Sequence, residues 1–96
     1  MLGFEWQALY EEISNFMYFV YIIASIKFLN TTYTGSTSNL NQRLKSHNAG
    51  ENKHTSKFGP WKLIWACAFS NKQKAEAFER YLKTASGIAF KRKRLV

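Results

Sequence analysis

The longest apolar run of the chain extends from Phe16 to Ala24 without polar alternation. It is too short to span a bilayer, which requires about 20 residues, and its β-branched and aromatic side chains favour a strand over Tyr18 to Ala24. A strand that is apolar on both faces is typical of the covered centre of a sheet. We therefore predict a buried first strand, with a short second strand over Thr32 to Gly35 as its hairpin partner.

The segment from Lys62 to Phe69 has the same apolar character and predicts a third strand. Strict alternation would place Leu63, Trp65, Cys67 and Phe69 on one face and the intervening residues on the other. Both sets are apolar, so this strand is also expected to be covered on both faces.

Helical spacing of apolar residues predicts an amphipathic helix over residues 4–14, with Glu11 and Glu12 on its polar side. The compact part of the chain is expected to begin at Met17. We therefore divide the chain into an N-terminal helical extension, residues 1–16, and a single domain, residues 17–96. The extension is expected to pack on the domain or against a protein partner, and the sequence leaves both open.

Two further helices are predicted within the domain. The first covers about Ser38 to Asn48, with a buried stripe of Leu40 and Leu44. Arg43 and His47 are neighbours at i, i+4 and are expected beside that stripe, at the border between core and surface.

The second helix is expected to begin at a capping box formed by Ser70 and Gln73 and to end near Thr84. Glu79 flanks its buried stripe. Ser86-Gly87 is expected to break this helix before a short basic segment that is a candidate for one last helix.

Together these elements predict an α+β fold, in which helices flank a three-stranded, mainly antiparallel sheet. The chain has 96 residues, 46% of them hydrophobic and 17% aromatic, which suits one folded domain with a modest core. Its single cysteine, Cys67, excludes an intramolecular disulfide and a cysteine-based metal cluster. A reducing, cytoplasmic location without membrane association is therefore expected.

The positive charge of the chain predicts the kind of ligand that it binds. The net charge is +8, and residues 1–16 contain three glutamates and no lysine or arginine, so residues 17–96 carry +11. A phosphate polymer is the natural ligand of such a domain, although a merely soluble basic protein would show the same excess. The candidate phosphate contacts are Lys53, Lys57, Lys91, Arg92, Lys93 and Arg94.

The order of the motifs resembles the GIY-YIG nuclease domain, which also forms the N-terminal nuclease domain of bacterial excision repair. The small standalone bacterial members are the most similar. The resemblance covers about residues 17–95 and rests on five stretches in the same order, which are residues 33–40, 43–48, 60–63, 79–83 and 86–90. Three positions depart from the family pattern. Val20 replaces a glycine, Thr34 replaces isoleucine or valine, and Ser36 lies where the excision-repair members bring a lysine.

The resemblance implies a metal-dependent endonuclease that hydrolyses DNA, with branched or damaged DNA and DNA repair as expected contexts. Arg43 would hold the scissile phosphate, and Glu79 would bind Mg²⁺ or Mn²⁺. Tyr21 would act as general base or orient the water, with Tyr33 as its hydrogen-bonding neighbour and His47 bonded to either tyrosine or to a phosphate.

Taken without the resemblance, the same residues allow simpler explanations. Glu79 can pair with Lys83 at i+4, Arg43 can be a solvated helix residue, and tyrosines in strands are usually packing residues. A non-catalytic nucleic-acid binding module of the same fold is therefore the first alternative. A protein-interaction module that acts through residues 1–16 is the second.

Overall fold

A three-stranded antiparallel sheet forms the centre of the structure, a computed structural model that describes residues 8–12 and 16–96. The strand order is β2-β1-β3. In chain order the elements are β1 (Tyr18–Ser25), β2 (Thr32–Thr37), α1 (Leu40–Asn48), a 3₁₀ turn (Ser56–Phe58), β3 (Trp61–Phe69), α2 (Lys72–Leu82) and α3 (Ala85–Arg94). This arrangement confirms the predicted α+β fold.

Helices cover the central strand β1 on both sides, and its apolar side chains are therefore buried on both faces. Tyr21 and Ile23 belong to a core with Trp61, on the side of α1. Val20 belongs to a second core with Ala75 and Leu82, on the side of α2 and α3. The predicted burial of the first strand is thus confirmed.

The expectation that β3 is covered on both faces is wrong. It is an edge strand, and Ala66 and Ala68 are exposed although they pair with buried residues of β1. Alanines lose little in contact with water, so an apolar count overstates how strongly this face requires cover. The alternation also breaks at Ile64, because a bulge shifts the register. Leu63 therefore pairs with Ile23, on the α1 side, and lies on the opposite face from Trp65.

The helix boundaries differ from the prediction in two places. The N-cap of α2 is Asn71 rather than Ser70, and its side chain accepts a hydrogen bond from the Lys74 amide at 3.0 Å. Ser86-Gly87 does not break a helix but lies in the first turn of α3, which Thr84 caps. A Cβ at Gly87 would lie 1.7 Å from the Tyr81 carbonyl oxygen. The glycine therefore permits a close crossing of α2 and α3.

On the N-terminal side, residues 8–12 are helical, as predicted, and the Tyr10 ring lies 6.4 Å from that of Phe19. The remainder of the helix predicted over residues 4–14 lies outside the described residues. The division of the chain at residue 16 stays a prediction. Within residues 8–12 and 16–96, none of the helices has the length and apolar character that a membrane span requires.

Candidate active site

Tyr21 is the centre of the candidate site. Its side chain is 1% exposed, and its hydroxyl lies 2.8 Å from Nε2 of His47. Gly35 pairs directly with Tyr21 across β1 and β2, and a Cβ at that glycine would lie 2.5 Å from the phenol oxygen. Gly35 therefore provides the space in which the phenol lies.

His47 is buried, with 1% exposure, so the expectation that it lies at the surface border is wrong. The helical period explains this: Leu40, Leu44 and His47 follow at i, i+4 and i+7, which places His47 on the buried stripe and leaves Arg43 beside it. The Nδ1 atom of His47 lies 2.8 Å from the Thr55 hydroxyl. Burial lowers the pKa of His47, and the Arg43 charge lowers it further, so the ring is neutral at pH 7.

Thr55 had no sequence signal as a site residue, because it lies in the loop after α1. The backbone carbonyl of Thr55 accepts a hydrogen bond from the Trp61 indole Nε1–H at 2.9 Å. The Thr55 hydroxyl completes the hydrogen-bonded series Tyr21–His47–Thr55. These hydrogen bonds satisfy the polar atoms of three buried side chains and hold the Tyr21 phenol at a fixed position.

The surroundings of Tyr21 make it a weaker base than a free tyrosine. Burial raises its pKa to about 12, and the neighbouring Tyr33 adds to the rise. The Arg43 guanidinium lowers the pKa, but it does not outweigh the burial. Tyr21 is therefore protonated at neutral pH and suited to donating a hydrogen bond, which weakens the expectation that it is the general base.

Tyr33 is the more accessible of the two phenols. It is half-buried, and its ring centroid lies 5.1 Å from that of His47 and 6.5 Å from that of Tyr21. The Lys83 ammonium lies 5.8 Å from the Tyr33 ring centroid. Tyr33 thus links the buried Tyr21–His47 pair to the surface at the edge of β2.

Glu79 reaches the same edge from α2. Its Oε1 accepts a hydrogen bond from the Ser36 hydroxyl at 2.5 Å, and its Oε2 accepts one from the Lys83 ammonium at 2.7 Å. Burial alone would raise the pKa of Glu79, but the bonds from Lys83 and Ser36 outweigh it and hold the pKa below its ordinary value. The i+4 pair with Lys83 that the sequence allowed is therefore present.

The oxygen atoms around Glu79 fit a hard divalent cation. A carboxylate, a hydroxyl and waters are ligands that Mg²⁺ accepts, and the carboxylate already binds a cation, the Lys83 ammonium. Within the described parts of the chain, no group of three or more His, Cys, Asp or Glu side chains is placed to enclose a metal. Glu79 is thus the carboxylate around which an open, partly hydrated metal site would form.

All three departures from the family pattern lie on the face of the sheet away from Tyr21. Val20 is fully buried in the core with Ala75 and Leu82. Thr34 is buried on the same side and accepts a hydrogen bond from Lys91 at 3.3 Å. Ser36 bonds Glu79 directly, and Lys83 is the cation that lies beside it.

The basic residues predicted to contact phosphates form two groups rather than one patch. Lys53 and Lys57 are exposed in the loop around the 3₁₀ turn, whose Phe58 packs on the α1 side of the sheet. Residues 91–94 lie on α3, whose C-cap Leu95 packs on the opposite side. Arg43 is exposed on α1, close enough to lower the pKa values of Tyr21 and His47.

Comparison with known proteins shows the family to which the chain is similar. The model of the GIY-YIG catalytic domain matches residues 17–93. A UPF0213 protein of Clostridium perfringens is 41% identical over 68 residues, which cover 70% of this chain and 71% of the relative. A UPF0213 protein of Staphylococcus haemolyticus is 37% identical over 72% of this chain and 83% of its own length.

A third relative, the UPF0213 protein YazA of Bacillus subtilis, is 42% identical over 56% of each chain. The match thus spans little more than half of that protein. No solved structure gives a significant match.

Proposed function

Because the chain belongs to the GIY-YIG catalytic domain family, we propose that it is a metal-dependent endonuclease that hydrolyses phosphodiester bonds in DNA. One observation carries the proposal. The Lys83 ammonium contacts both the Glu79 carboxylate and the face of the Tyr33 ring, so a carboxylate from α2 and a phenol from β2 share one cation at an open sheet edge. A simple surface ion pair would not require the tyrosine.

The two tyrosines have different roles in this proposal. Tyr33 is half-buried and reaches the edge of β2, so it orients the attacking water through a hydrogen bond. Tyr21 is buried, protonated and bonded to His47, so it positions Tyr33 and donates a hydrogen bond. This exchange of roles follows from burial, because a phenol with a pKa of about 12 is a poor base at neutral pH.

Arg43 holds the scissile phosphate in the proposal. Its guanidinium is exposed on α1 and acts on both Tyr21 and His47 through its charge. A planar guanidinium binds two phosphate oxygens at once and stabilises the negative charge that builds up during attack.

Glu79, with Ser36 beside it, holds the divalent cation. When bound, Mg²⁺ or Mn²⁺ supplies polarisation of the phosphate and stabilisation of the leaving oxygen. Lys83 must release the Glu79 carboxylate for this, and its own ammonium then lies free to face a phosphate. DNA repair, a cytoplasmic location and a protein partner for residues 1–16 stay predictions.

A plasmid nicking assay tests the proposal. With Mg²⁺ or Mn²⁺ present, the wild-type protein is expected to nick supercoiled DNA, whereas Glu79→Gln and Arg43→Ala are expected to lose at least about a hundredfold in rate. Glu76→Gln, on the same helix and with the same loss of charge, is the matched control and is expected to cut normally. Binding without any cutting by the wild-type protein would establish the non-catalytic alternative instead.

A further inference from the structure

A groove lies on the α3 side of the sheet, the side on which Ser36 bonds Glu79. Its floor is a row of three paired residues, Thr32, Ala24 and Lys62, one from each strand. One wall is formed by α3 and the other by the loop of residues 26–31. The groove has a volume of about 950 Å³.

The groove is strongly positive. Lys27, Lys62, Lys91 and Arg92 line it, and no aspartate or glutamate is among its lining residues, all of which are described. Val96 also lines the groove and adds an apolar side chain. Four cations gathered around one cavity repel one another, and binding an anion relieves that repulsion.

Lys91 is the cation held deepest in the groove. It is half-buried, and its ammonium donates to the Thr34 hydroxyl at 3.3 Å. Burial lowers its pKa, and the charges of Arg92 and Lys83 lower it further. Lys91 is therefore a cation with a neutral protein partner, positioned to bind an anion from outside.

From the groove, β2 leads to Ser36 and Glu79, the part of the candidate active site that lies on this face of the sheet. Residues 32, 34 and 36 point to the same side of this edge strand. Thr32 lines the groove, Thr34 bonds Lys91 and Ser36 bonds Glu79. Four residues of strand span about 14 Å, which equals about four steps along a DNA strand at 3.4 Å each.

We propose that this groove binds the sugar–phosphate backbone of the DNA strand that flanks the cleaved bond, with Lys27, Lys62, Lys91 and Arg92 as its phosphate contacts. The assignment of the flanking strand rests on the proposed endonuclease function. The binding of DNA in the groove does not depend on it. Lys27 and Lys62 lie far from the basic α3 segment in sequence, and only the fold brings them together.

Fluorescence anisotropy with a dye-labelled DNA duplex tests the groove. The assay uses the Glu79→Gln protein without divalent metal, so that cutting does not interfere. In this Glu79→Gln background we compare the groove pair, Lys27→Gln with Arg92→Gln, and the control pair, Lys72→Gln with Lys74→Gln. The control removes the same charge at the start of α2, near Tyr18 at the other end of β1.

The groove pair is expected to weaken binding at least tenfold at about 0.1 M salt and to reduce the slope of log K against log salt by about 1.8, from two lost contacts. The control pair is expected to leave the slope nearly unchanged. The pair Lys27→Arg and Arg92→Lys keeps the charges and is expected to bind normally, which separates charge from folding.

Three results of the DNA titrations would overturn the groove assignment: no DNA binding by the starting protein, equal losses in the groove and control pairs, or an unchanged slope in the groove pair. Polyglutamate that competes as well as unlabelled DNA would assign the groove to an acidic polypeptide and would also overturn it. Failure of the wild-type protein to nick plasmid DNA would refute the endonuclease proposal alone, because the groove is tested by binding.

Discussion

The contact between Gly35 and the Tyr21 phenol makes a sharp prediction about stability. In Gly35→Ala, the new Cβ would lie 2.5 Å from the phenol oxygen and 2.7 Å from its Cζ. The Tyr21 ring and the Gly35 backbone must move apart, although the two strands are held in register by their pairing. Overpacking of this kind costs about 1–3 kcal/mol, and losing the buried bond to His47 costs about 1–3 kcal/mol more.

The expected loss is therefore about 2–6 kcal/mol, out of the roughly 5–15 kcal/mol typical of a small domain. This corresponds to a fall in Tm of at least about 8 °C. Urea unfolding followed by circular dichroism measures the loss. Gly59→Ala is the control, because its added Cβ would meet Trp61 at an ordinary 3.8 Å and is expected to change stability by less than about 0.5 kcal/mol.

A double-mutant cycle with Tyr21→Phe separates this contact from a general effect on β2. Tyr21→Phe alone is expected to cost about 1–3 kcal/mol, because it leaves Nε2 of the buried His47 ring without its partner. With the hydroxyl removed, Gly35→Ala is expected to cost at least about 1 kcal/mol less than in the wild-type protein. If the two changes were additive within about 0.5 kcal/mol, the phenol would not be what Gly35 accommodates.

Three further predictions follow from the shifted pKa values. Since the folded pKa of Tyr21 is raised from 10.0 to about 12, the stability that this group contributes is fully present below pH 10 and is lost as pH rises toward 12. An absorbance titration should show one phenol that ionises later than the others, and this phenol should be absent in Tyr21→Phe. Since the folded pKa of His47 lies below its ordinary 6.5, the stability that this group contributes is present above pH 6.5 and is lost as pH falls through the folded value. Denaturant unfolding from pH 7.5 to 5 should show this loss, and a flat profile that matches that of His47→Gln would contradict the prediction. Since the folded pKa of Glu79 lies below 4.5, its contribution is present above that pH and is lost as pH falls through the folded value; Lys83→Gln should raise this pKa, measured by NMR titration, and an unchanged pKa would rule out the ion pair as its cause.

Much of the fold was predictable because local patterns report local structure. The apolar run over β1 and the Leu40/Leu44 spacing on α1 depend on the periods of strand and helix, which the chain itself carries. The prediction failed at β3, where a bulge at Ile64 moves Leu63 to the other face. A bulge depends on how two strands pair, and no single strand encodes it.

For the candidate site, the order of motifs identified Tyr21, Tyr33, Arg43, His47 and Glu79, and their roles as a catalytic set stay a prediction. The sequence also contained the signal that His47 is buried, since it lies at i+7 from Leu40. Burial then changes the chemistry expected of the tyrosines, because a buried phenol with a raised pKa suits positioning better than proton transfer.

By itself, the sequence determined the elements, their order and the excess of positive charge, because each depends on composition or on a repeat of two to four residues. The tertiary structure alone decided which distant groups meet. It brings Thr55 onto His47, Ser36 onto Glu79, and Lys27 and Lys62 to the same groove as Lys91. Such contacts depend on sheet register and helix crossing, and the energy that selects them is summed over the whole core rather than carried by any one segment.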